Sequence, residues 1–279
     1  MHSDPVGIVG VGLVGGVIVD RLRGADFSML GFDIATVDRS GLTLLASATE
    51  VFERCDIVIL SLPDSSVSAS VLGAAPLRRG QLIIDTTTGA PQDAESQAAA
   101  LSAQGACYLE ATIAGSSGLL ARGEAPLFLG GEEQAIHDGE AVLDALAPRR
   151  FLVGPAGHGA RFKLMFNLML GLHRAVLAEA LTFGRSQGID PGTALEILRQ
   201  TPAFSSVIDT KGDRMVERDY DNPQARLSQH LKDVRLILGA SATTPLSETH
   251  LHLLERAQSL GFGQADTSAI IEAFREPED

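Results

Sequence analysis

The sequence predicts an α/β fold in which an N-terminal, doubly wound parallel sheet is joined by a long helix to an all-α C-terminal domain. Three observations carry this prediction. Short apolar runs alternate with helix-like segments up to about residue 155, strand-like runs stop after residue 159, and a long apolar helical segment follows at once. We therefore predict a first domain over residues 1–156 and a second over residues 157–279.

The apolar runs of the first half have the composition of strands that are buried on both faces. Near-continuous apolar strands alternating with helices indicate a parallel sheet covered on both sides. Right-handed crossovers make such a sheet doubly wound. The predicted strands span residues 6–9, 28–32, 56–62, 81–85 and 106–113, with helices at 13–23 and 94–104.

The second half opens with one uninterrupted helical segment, predicted over residues 160–187 and ended by Gly188. Apolar residues occupy nearly every side of this helix, which predicts burial all round. It is either a core helix or a helix held between two domains or two subunits. Further helices are predicted at residues 191–200, 225–239, 246–260 and 267–274.

Composition and charge exclude several classes of protein. The chain has 279 residues, of which 45% are hydrophobic and 20% charged, and this excludes wholesale disorder. A net charge of −13 disfavours nucleic acid or an anionic membrane as a partner. Two isolated cysteines exclude a disulfide scaffold, and a reducing cytoplasm is the expected location. No membrane span and no metal site are predicted, and His250 and His252 are expected at a helix surface.

A glycine motif follows the first predicted strand directly. Gly10, Gly12 and Gly15 form the pattern Gly-x-Gly-x-x-Gly at the start of a helix. Such glycines permit a tight turn, close approach to a pyrophosphate, and close packing of helix on strand. The helix N-terminus offers N–H groups and a partial positive charge to the phosphates. With Leu13 and Val14, the motif predicts a Rossmann-type dinucleotide site; a structural turn is the alternative.

Asp33 indicates which dinucleotide is bound. It ends the second predicted strand, 18 residues after Gly15, and the nearest following arginine is Arg39. A carboxylate at this point accepts hydrogen bonds from the adenosine ribose hydroxyls, whereas a 2′-phosphate would meet like charge. The sequence therefore favours NAD over NADP as the cofactor.

One lysine lies within the apolar stretch of the long helix. Lys163 and Asn167 are four residues apart and project from the same face of the helix. A lysine is costly to bury unless it is paired or takes part in chemistry, and desolvation makes a lysine a better general acid or base. The alternative is that Lys163 extends from the first turns of the helix into solvent.

Several ordered segments have the spacing of one enzyme family. They are the glycine motif, Leu62-Pro63, residues 85–91, residues 157–167, Lys232-Asp233 and residues 261–269. Through them, nearly the whole chain resembles the β-hydroxyacid dehydrogenases, the family of 3-hydroxyisobutyrate dehydrogenase and related semialdehyde reductases. The resemblance implies Lys163 as general acid/base and Asn167 as its substrate-orienting neighbour.

The resemblance also implies where cofactor and substrate bind. Leu62, Pro63 and Thr88 are expected beside the cofactor, and Lys232 is expected near both the nicotinamide and the substrate. The substrate carboxylate is expected at the loop of Ala114, Gly115, Ser116 and Ser117.

This loop departs from the family pattern. The family usually has Asp-Ala-Pro-Val-Ser-Gly-Gly, whereas the present chain has Glu110-Ala111-Thr112-Ile113-Ala114-Gly115-Ser116. Ala114 removes a hydroxyl donor, so backbone N–H groups, the loop serines or a cation must hold the carboxylate. Phe166 replaces the first of the family's paired asparagines.

The expected function is hydride transfer between NAD(H) and the hydroxyl or carbonyl carbon of a small 3-hydroxy acid or semialdehyde. A homodimer or homotetramer formed through the helical domain is also expected. The sequence leaves open an NAD(P)-dependent reductase of tartronate, glyoxylate or succinic semialdehyde, or of an imine, although imine-reducing relatives usually lack the lysine. A catalytically silent dinucleotide-binding module also stays open: Ala114 and Phe166 favour it, whereas Lys163, Asn167 and Lys232 oppose it.

Overall fold

The computed structural model describes residues 4–240 and 243–275. The chain forms two compact units, Met1–Lys163 and Leu164–Asp279. The first unit contains the sheet, and the second is helical. The division falls inside the long helix, whose first turns belong to the first unit.

The first unit is built on one eight-stranded sheet of order β3-β2-β1-β4-β5-β6-β7-β8. Its strands are β1 (Val6–Val9), β2 (Met29–Phe32), β3 (Leu42–Leu44), β4 (Ile57–Leu60), β5 (Leu82–Asp85), β6 (Cys107–Ile113), β7 (Leu127–Gly131) and β8 (Arg150–Gly154). All neighbouring strands pair in parallel except β6 and β7.

The doubly wound fold is confirmed, and three strands are additions to it. The sequence pattern does not predict β3, β7 or β8. The two edge strands β3 and β8 are short and largely exposed, so they lack the continuous apolar run of a buried strand. The antiparallel β7 differs from the wholly parallel sheet that was expected.

Helices cover both faces of this sheet. They are α1 (Leu13–Gly24), α2 (Ala48–Arg54), α3 (Ser65–Gly73), α4 (Pro91–Ala103), α5 (Ser117–Ala121), α6 (Glu133–Asp138) and α7 (Glu140–Leu146). Successive strand residues pack into different cores: Ile8 and Ile84 lie in one apolar cluster, while Val9 and Ile83 lie in the other. This alternation follows from the two-residue period of a strand.

The second unit has its own apolar core, which includes Leu181, Met215 and Leu254. The helices are α8 (His158–Ser186), α9 (Pro191–Leu198), α10 (Ser206–Glu217), α11 (Leu227–Ala240) and α12 (Pro245–Ser259), followed by 3₁₀ helices at Phe262–Gln264 and Thr267–Phe274. The mostly polar α10 is not predicted from the sequence. His250 is 2% exposed, so the expected surface position is wrong for this residue.

Packing within the single chain leaves one face of α8 exposed, so it does not by itself bury the helix all round. Met169, Val176 and Phe183 recur at seven-residue intervals on that face, and the last two are 64% and 65% exposed. Within the described part of the chain, α8 is the one helix long and apolar enough to cross a membrane. Core helices of soluble proteins meet the same criterion, so this is weak evidence for a span.

Candidate active site

The predicted cofactor residues lie at the carboxyl edge of the parallel strands. The strand order reverses between β1 and β4, and open α/β sheets bind ligands in the crevice at such a reversal. The glycine motif follows β1, Asp33 follows β2, and Leu62-Pro63 lies just beyond β4. The fold therefore brings these three segments to one edge.

The three glycines of the motif are needed for different physical reasons. Gly10 has a φ of +92°, and a Cβ on it would collide with the carbonyl oxygen of Ser61. A Cβ on Gly15 would collide with the carbonyl oxygen of Gly10. A Cβ on Gly12, at the start of α1, would meet no described atom within 4 Å. Packing of the chain does not require glycine at position 12, whereas a pyrophosphate at this helix N-terminus does.

Asp33 connects the end of β2 to the glycine motif. Its Oδ2 accepts a hydrogen bond of 2.6 Å from the N–H of Val11, and its Oδ1 accepts one of 2.8 Å from the N–H of Ala35. A carboxylate has about four lone-pair positions, so both oxygens can accept further bonds from ribose hydroxyls. Arg39 is paired with Asp20 on α1 at 2.5 Å.

The threonines after β5 hold two strand ends together. The hydroxyl of Thr86 donates to the carbonyl of Leu60 at 2.8 Å, and the Oγ1 of Thr87 accepts from the N–H of Leu62 at 3.1 Å. Thr88 is half-buried and is the next residue along the chain. Thr88, which the resemblance places beside the cofactor, thus follows a segment that is bonded to the end of β4 and to Leu62.

Lys163 is buried at the same edge of the sheet. Its side chain is 7% exposed, and its Nζ donates a hydrogen bond of 2.6 Å to the carbonyl of Ile113. The alternative in which Lys163 extends into solvent is therefore wrong. Ile113 is the last residue of β6, so the ammonium lies where the loop of residues 114–117 begins.

The loop after β6 is a tight connection to α5. The N–H of Ala114 donates to the carbonyl of Pro126 at 2.8 Å, and Gly115 has a φ of +153°. The hydroxyl of Ser116 accepts from the N–H of Leu119 at 3.3 Å, and Ser117 begins α5. Substrate binding by this loop stays a prediction.

The N-terminus of α8 is capped by a carboxylate from the sheet. Glu110, on β6, is 2% exposed and accepts hydrogen bonds from the N–H groups of Gly157, Gly159 and Ala160 at 2.5, 3.2 and 2.9 Å. Burial raises the pKa of this carboxyl to about 7, because desolvation outweighs the three N–H bonds.

Asn167 and Lys232 share one partner in the helical unit. The Nδ2 of Asn167 donates to Oδ2 of Asp233 at 2.8 Å, and the Nζ of Lys232 lies 3.5 Å from Oδ1 of the same carboxylate. Asn167 is buried. The roles of both residues in catalysis or binding stay predictions.

Two carboxylates with structural importance were not predicted as site residues. Asp233 belongs with Lys232 to one of the segments that carry the family resemblance, and that position is the signal for it. Glu110 acts on residues 47 or more positions away along the chain, so no local spacing reveals its role. The glycines at positions 157 and 159 indicate a tight helix start, but they do not name what lies against it.

Comparison with known proteins matches both units of the chain to families of nucleotide-binding oxidoreductases. Residues 5–154 match the family described as the NAD binding domain of 6-phosphogluconate dehydrogenase. Residues 157–274 match the family described as NAD-binding of NADP-dependent 3-hydroxyisobutyrate dehydrogenase.

Individual relatives match along nearly their whole length. The chain is 27% identical to L-threonate dehydrogenase of Cupriavidus necator, covering 98% of this chain and 96% of the relative. It is 26% identical to 2-(hydroxymethyl)glutarate dehydrogenase of Eubacterium barkeri, with the same coverage of 98% and 96%. The solved structure of a 3-hydroxyisobutyrate dehydrogenase from Salmonella typhimurium superposes with a TM-score of 0.87 at 26% identity, covering 97% of this chain and 99% of that one.

The family matches cover most of both units, and the match over residues 5–154 includes the glycine motif and the strands of the sheet. The fold, the NAD(P)-binding unit and the helical unit that follows it are those of one group of oxidoreductases. The chain belongs to the 3-hydroxyisobutyrate dehydrogenase-like family of β-hydroxyacid dehydrogenases.

Proposed function

We propose that this protein is an NAD-dependent dehydrogenase of a small 3-hydroxy acid or the corresponding semialdehyde, with Lys163 as general acid/base. The observation that carries the proposal is the position of one amine. The Nζ of Lys163 is buried 2.6 Å from the carbonyl of Ile113, at the sheet edge that also holds the glycine motif. A buried amine beside a dinucleotide site is suited to proton transfer.

The proposed mechanism assigns the proton to Lys163. In the oxidative direction its neutral amine takes the proton of the substrate hydroxyl, and in the reductive direction its ammonium returns a proton to the carbonyl oxygen. Bound NAD(H) supplies the hydride acceptor or donor. The carbonyl of Ile113 accepts a hydrogen bond from one N–H of Lys163. This bond fixes the directions in which the nitrogen presents its other N–H bonds or its lone pair.

The relatives and the loop after β6 support this substrate class. L-threonate, 2-(hydroxymethyl)glutarate and 3-hydroxyisobutyrate, named in the relatives' descriptions, all combine a hydroxyl group with a carboxylate. We assign the carboxylate of the substrate to backbone N–H groups and serines of residues 114–117, assisted by Lys232. Asn167 is assigned to the reacting oxygen.

Asp33 supports NAD over NADP as the cofactor. Its carboxylate lies at the end of β2, where an adenosine ribose binds in this fold, and a 2′-phosphate would meet its negative charge. Arg39, which could offset that charge, is already paired with Asp20.

We also propose that a second copy of the chain covers the exposed face of α8. Met169, Val176 and Phe183 form an exposed apolar stripe of the kind that rarely faces water in a monomer. A homodimer or homotetramer formed through this helix removes the stripe from solvent.

A spectrophotometric panel at 340 nm, using 3-hydroxy acids and semialdehydes with NAD and with NADP, tests the proposal. Turnover of a carboxylate-bearing substrate with NAD is expected. The Lys163→Ala variant should lower kcat by about 10²–10⁴-fold while NADH affinity is retained. Lys163→Arg is the matched control: it keeps the charge, cannot exchange a proton near neutral pH, and should lose activity to a similar extent.

The main competing function is a dinucleotide-binding module without turnover, which the departures at Ala114 and Phe166 favour. Tight NADH binding with no absorbance change for any substrate in the panel would support that module. Near-normal turnover in Lys163→Ala would instead leave the enzyme in place and remove the role assigned to its lysine.

A further inference from the structure

We propose that Glu110 is a positioning residue for Lys163, acting as a long-range cap that fixes the first turns of α8 against β6. The inference rests on the proposed function, because it concerns the placement of the amine that moves the proton. Every contact that carries it lies within the first unit, between β6 and residues 157–163. Four observations support it.

The first observation is the number of N–H groups that one carboxylate holds. The first N–H groups of a helix have no partner inside the helix, and a negative charge there is favoured by the helix dipole. Glu110 accepts three such bonds, from Gly157, Gly159 and Ala160. Usual caps come from a residue next to the helix in sequence, whereas this one is 47–50 residues away. It therefore fixes the helix to the sheet as well as capping it.

The second observation is that neighbouring groups on β6 bind the same turns. The hydroxyl of Thr112 donates to the carbonyl of Gly159 at 3.3 Å. The carbonyl of Ile113 accepts from the Nζ of Lys163 at 2.6 Å. Residues 110, 112 and 113 thus hold the start of α8 at several points. Since Lys163 is one turn beyond Gly159, a shift of this turn carries the amine with it.

The third observation is the space that glycines leave for the carboxylate. A Cβ on Gly130, the residue paired with Glu110 across β6 and β7, would collide with Oε2 of Glu110 and lie 2.8 Å from the amide nitrogen of Gly159. A Cβ on Gly159 would lie 3.0 Å from the Cβ of Glu110. Gly157 has a φ of +88°. The carboxylate therefore explains the glycines at positions 130 and 159, and the positive φ explains the glycine at position 157.

The fourth observation is the charge state of the cap. Burial raises the pKa of Glu110 to about 7, and the charge of Asp85 contributes in the same direction. An ionised carboxylate offers two full acceptor oxygens, whereas a protonated carboxyl gives one of them to its own proton. The cap is therefore complete above neutral pH and weakened below it. The charged or titratable groups around it are Asp85, Tyr108, Glu95, His158, Arg161 and Lys163.

The test compares two substitutions of Glu110 in the full chain. Glu110→Gln keeps the shape of the side chain and removes its charge. It should lower kcat about 10- to 100-fold and change KM less than about threefold. The reason is that misplacing a catalytic group, here the amine of Lys163, by about 1 Å has effects of this order. Glu110→Asp keeps the charge, as the family's usual aspartate does, but is one methylene shorter; it should restore part of kcat. The amides of Gly157, Gly159 and Ala160 should exchange hydrogen faster in Glu110→Gln.

Two further readouts separate positioning from a general loss of stability. In the reductive direction, where Lys163 acts in its protonated form, a decline of kcat on acidification through pH 7 should be present in the natural chain and absent in Glu110→Gln. The chain contains three lysines, so ¹⁵N spectra of their side chains resolve Lys163, whose signal should shift in Glu110→Gln. Glu272→Gln is the matched control. It alters a carboxylate that is also buried and accepts from Arg218 at 2.9 Å, and it should change neither kcat nor the Lys163 signal.

The outcomes distinguish this inference from the proposed function. If Lys163→Ala abolishes turnover but Glu110→Gln leaves kcat, its pH profile and the three exchange rates unchanged, the function stands and the positioning role is overturned. If Lys163→Ala turns over normally, the function fails and the positioning role fails with it. An equal effect of Glu272→Gln and Glu110→Gln on kcat also overturns the inference.

Discussion

The ionisation of Glu110 makes the stability of the first unit depend on pH. In an unfolded chain this carboxyl titrates near its ordinary pKa of 4.5, whereas burial raises its pKa to about 7 in the folded chain. Between these two values the folded chain binds more protons than the unfolded chain. The free energy of unfolding therefore falls as pH rises through this window. The stabilising contribution of the neutral carboxyl is complete below pH 4.5 and is lost above about pH 7.

The size of the effect follows from the width of the window. Each pH unit corresponds to about 1.4 kcal/mol, so the interval from 4.5 to about 7 predicts a change of about 3 kcal/mol. Glu110→Gln removes this titration and leaves the other ionisable groups in place. As pH rises across the window, the free energy of unfolding of the natural chain should thus fall by about 3 kcal/mol relative to that of Glu110→Gln.

The assay has to report on the first unit alone, because a chain with two units need not unfold in one step. The chain has two tyrosines, Tyr108 in the first unit and Tyr220 in the second, and no tryptophan. In a Tyr220→Phe background, fluorescence of Tyr108 during urea titration follows the unit that contains Glu110. Titrations at intervals from pH 4.5 to 8.5 give the difference directly.

The reasoning is refuted by a difference that stays constant across this range. A difference that changes with the opposite sign is equally informative. It would mean that the three N–H bonds outweigh desolvation and that the carboxyl is ionised more readily in the folded chain than in the unfolded one.

Three other predictions concern separate parts of the chain. Burial lowers the pKa of His250 to about 4, so its contribution to stability is lost as pH falls below 6.5. The difference in free energy of unfolding between the natural chain and His250→Gln should therefore change by about 3 kcal/mol, with the opposite sign to that of Glu110. Urea titrations in a Tyr108→Phe background, where Tyr220 reports on the second unit, measure this change. A Cβ at position 12 would meet no described atom within 4 Å, so Gly12→Val should leave stability unchanged and weaken NADH binding at least about tenfold, as measured by calorimetry. Gly10 has a φ of +92°, so Gly10→Val should instead destabilise the fold by about 1–3 kcal/mol or more. Val176→Asp should convert the proposed oligomer to monomer in light scattering, and a monomeric natural chain would contradict the proposal.

The cap on α8 connects two features that the sequence presents separately. The pattern of two glycines four and six residues before Lys163 belongs to the catalytic motif of the family that the chain resembles. The carboxylate at position 110 belongs to the loop motif. The structure brings them into contact through the pairing of β6 with the start of α8. A substitution in either motif is therefore expected to affect the placement of the same amine.

The sequence by itself determined the order of the buried strands, the cofactor motif and the start of the long helix. Apolar runs bounded by turn residues locate β1, β2, β4, β5 and β6, because strands buried on both faces leave a strong local signal. Gly10, Gly12 and Gly15 are detectable because their spacing is fixed by a single turn of backbone. Lys163 stands out because a charge in an apolar helix is rare.

Only the tertiary structure decided what those residues touch. The burial of Lys163, its bond to Ile113 and the cap by Glu110 join segments about 50 residues apart, and contacts at that separation leave no periodic trace in the sequence. The exposed stripe on α8 has the same cause: Val176 and Phe183 are as apolar as their buried neighbours. Composition shows that a side chain avoids water, and packing decides which surface, if any, removes it from water.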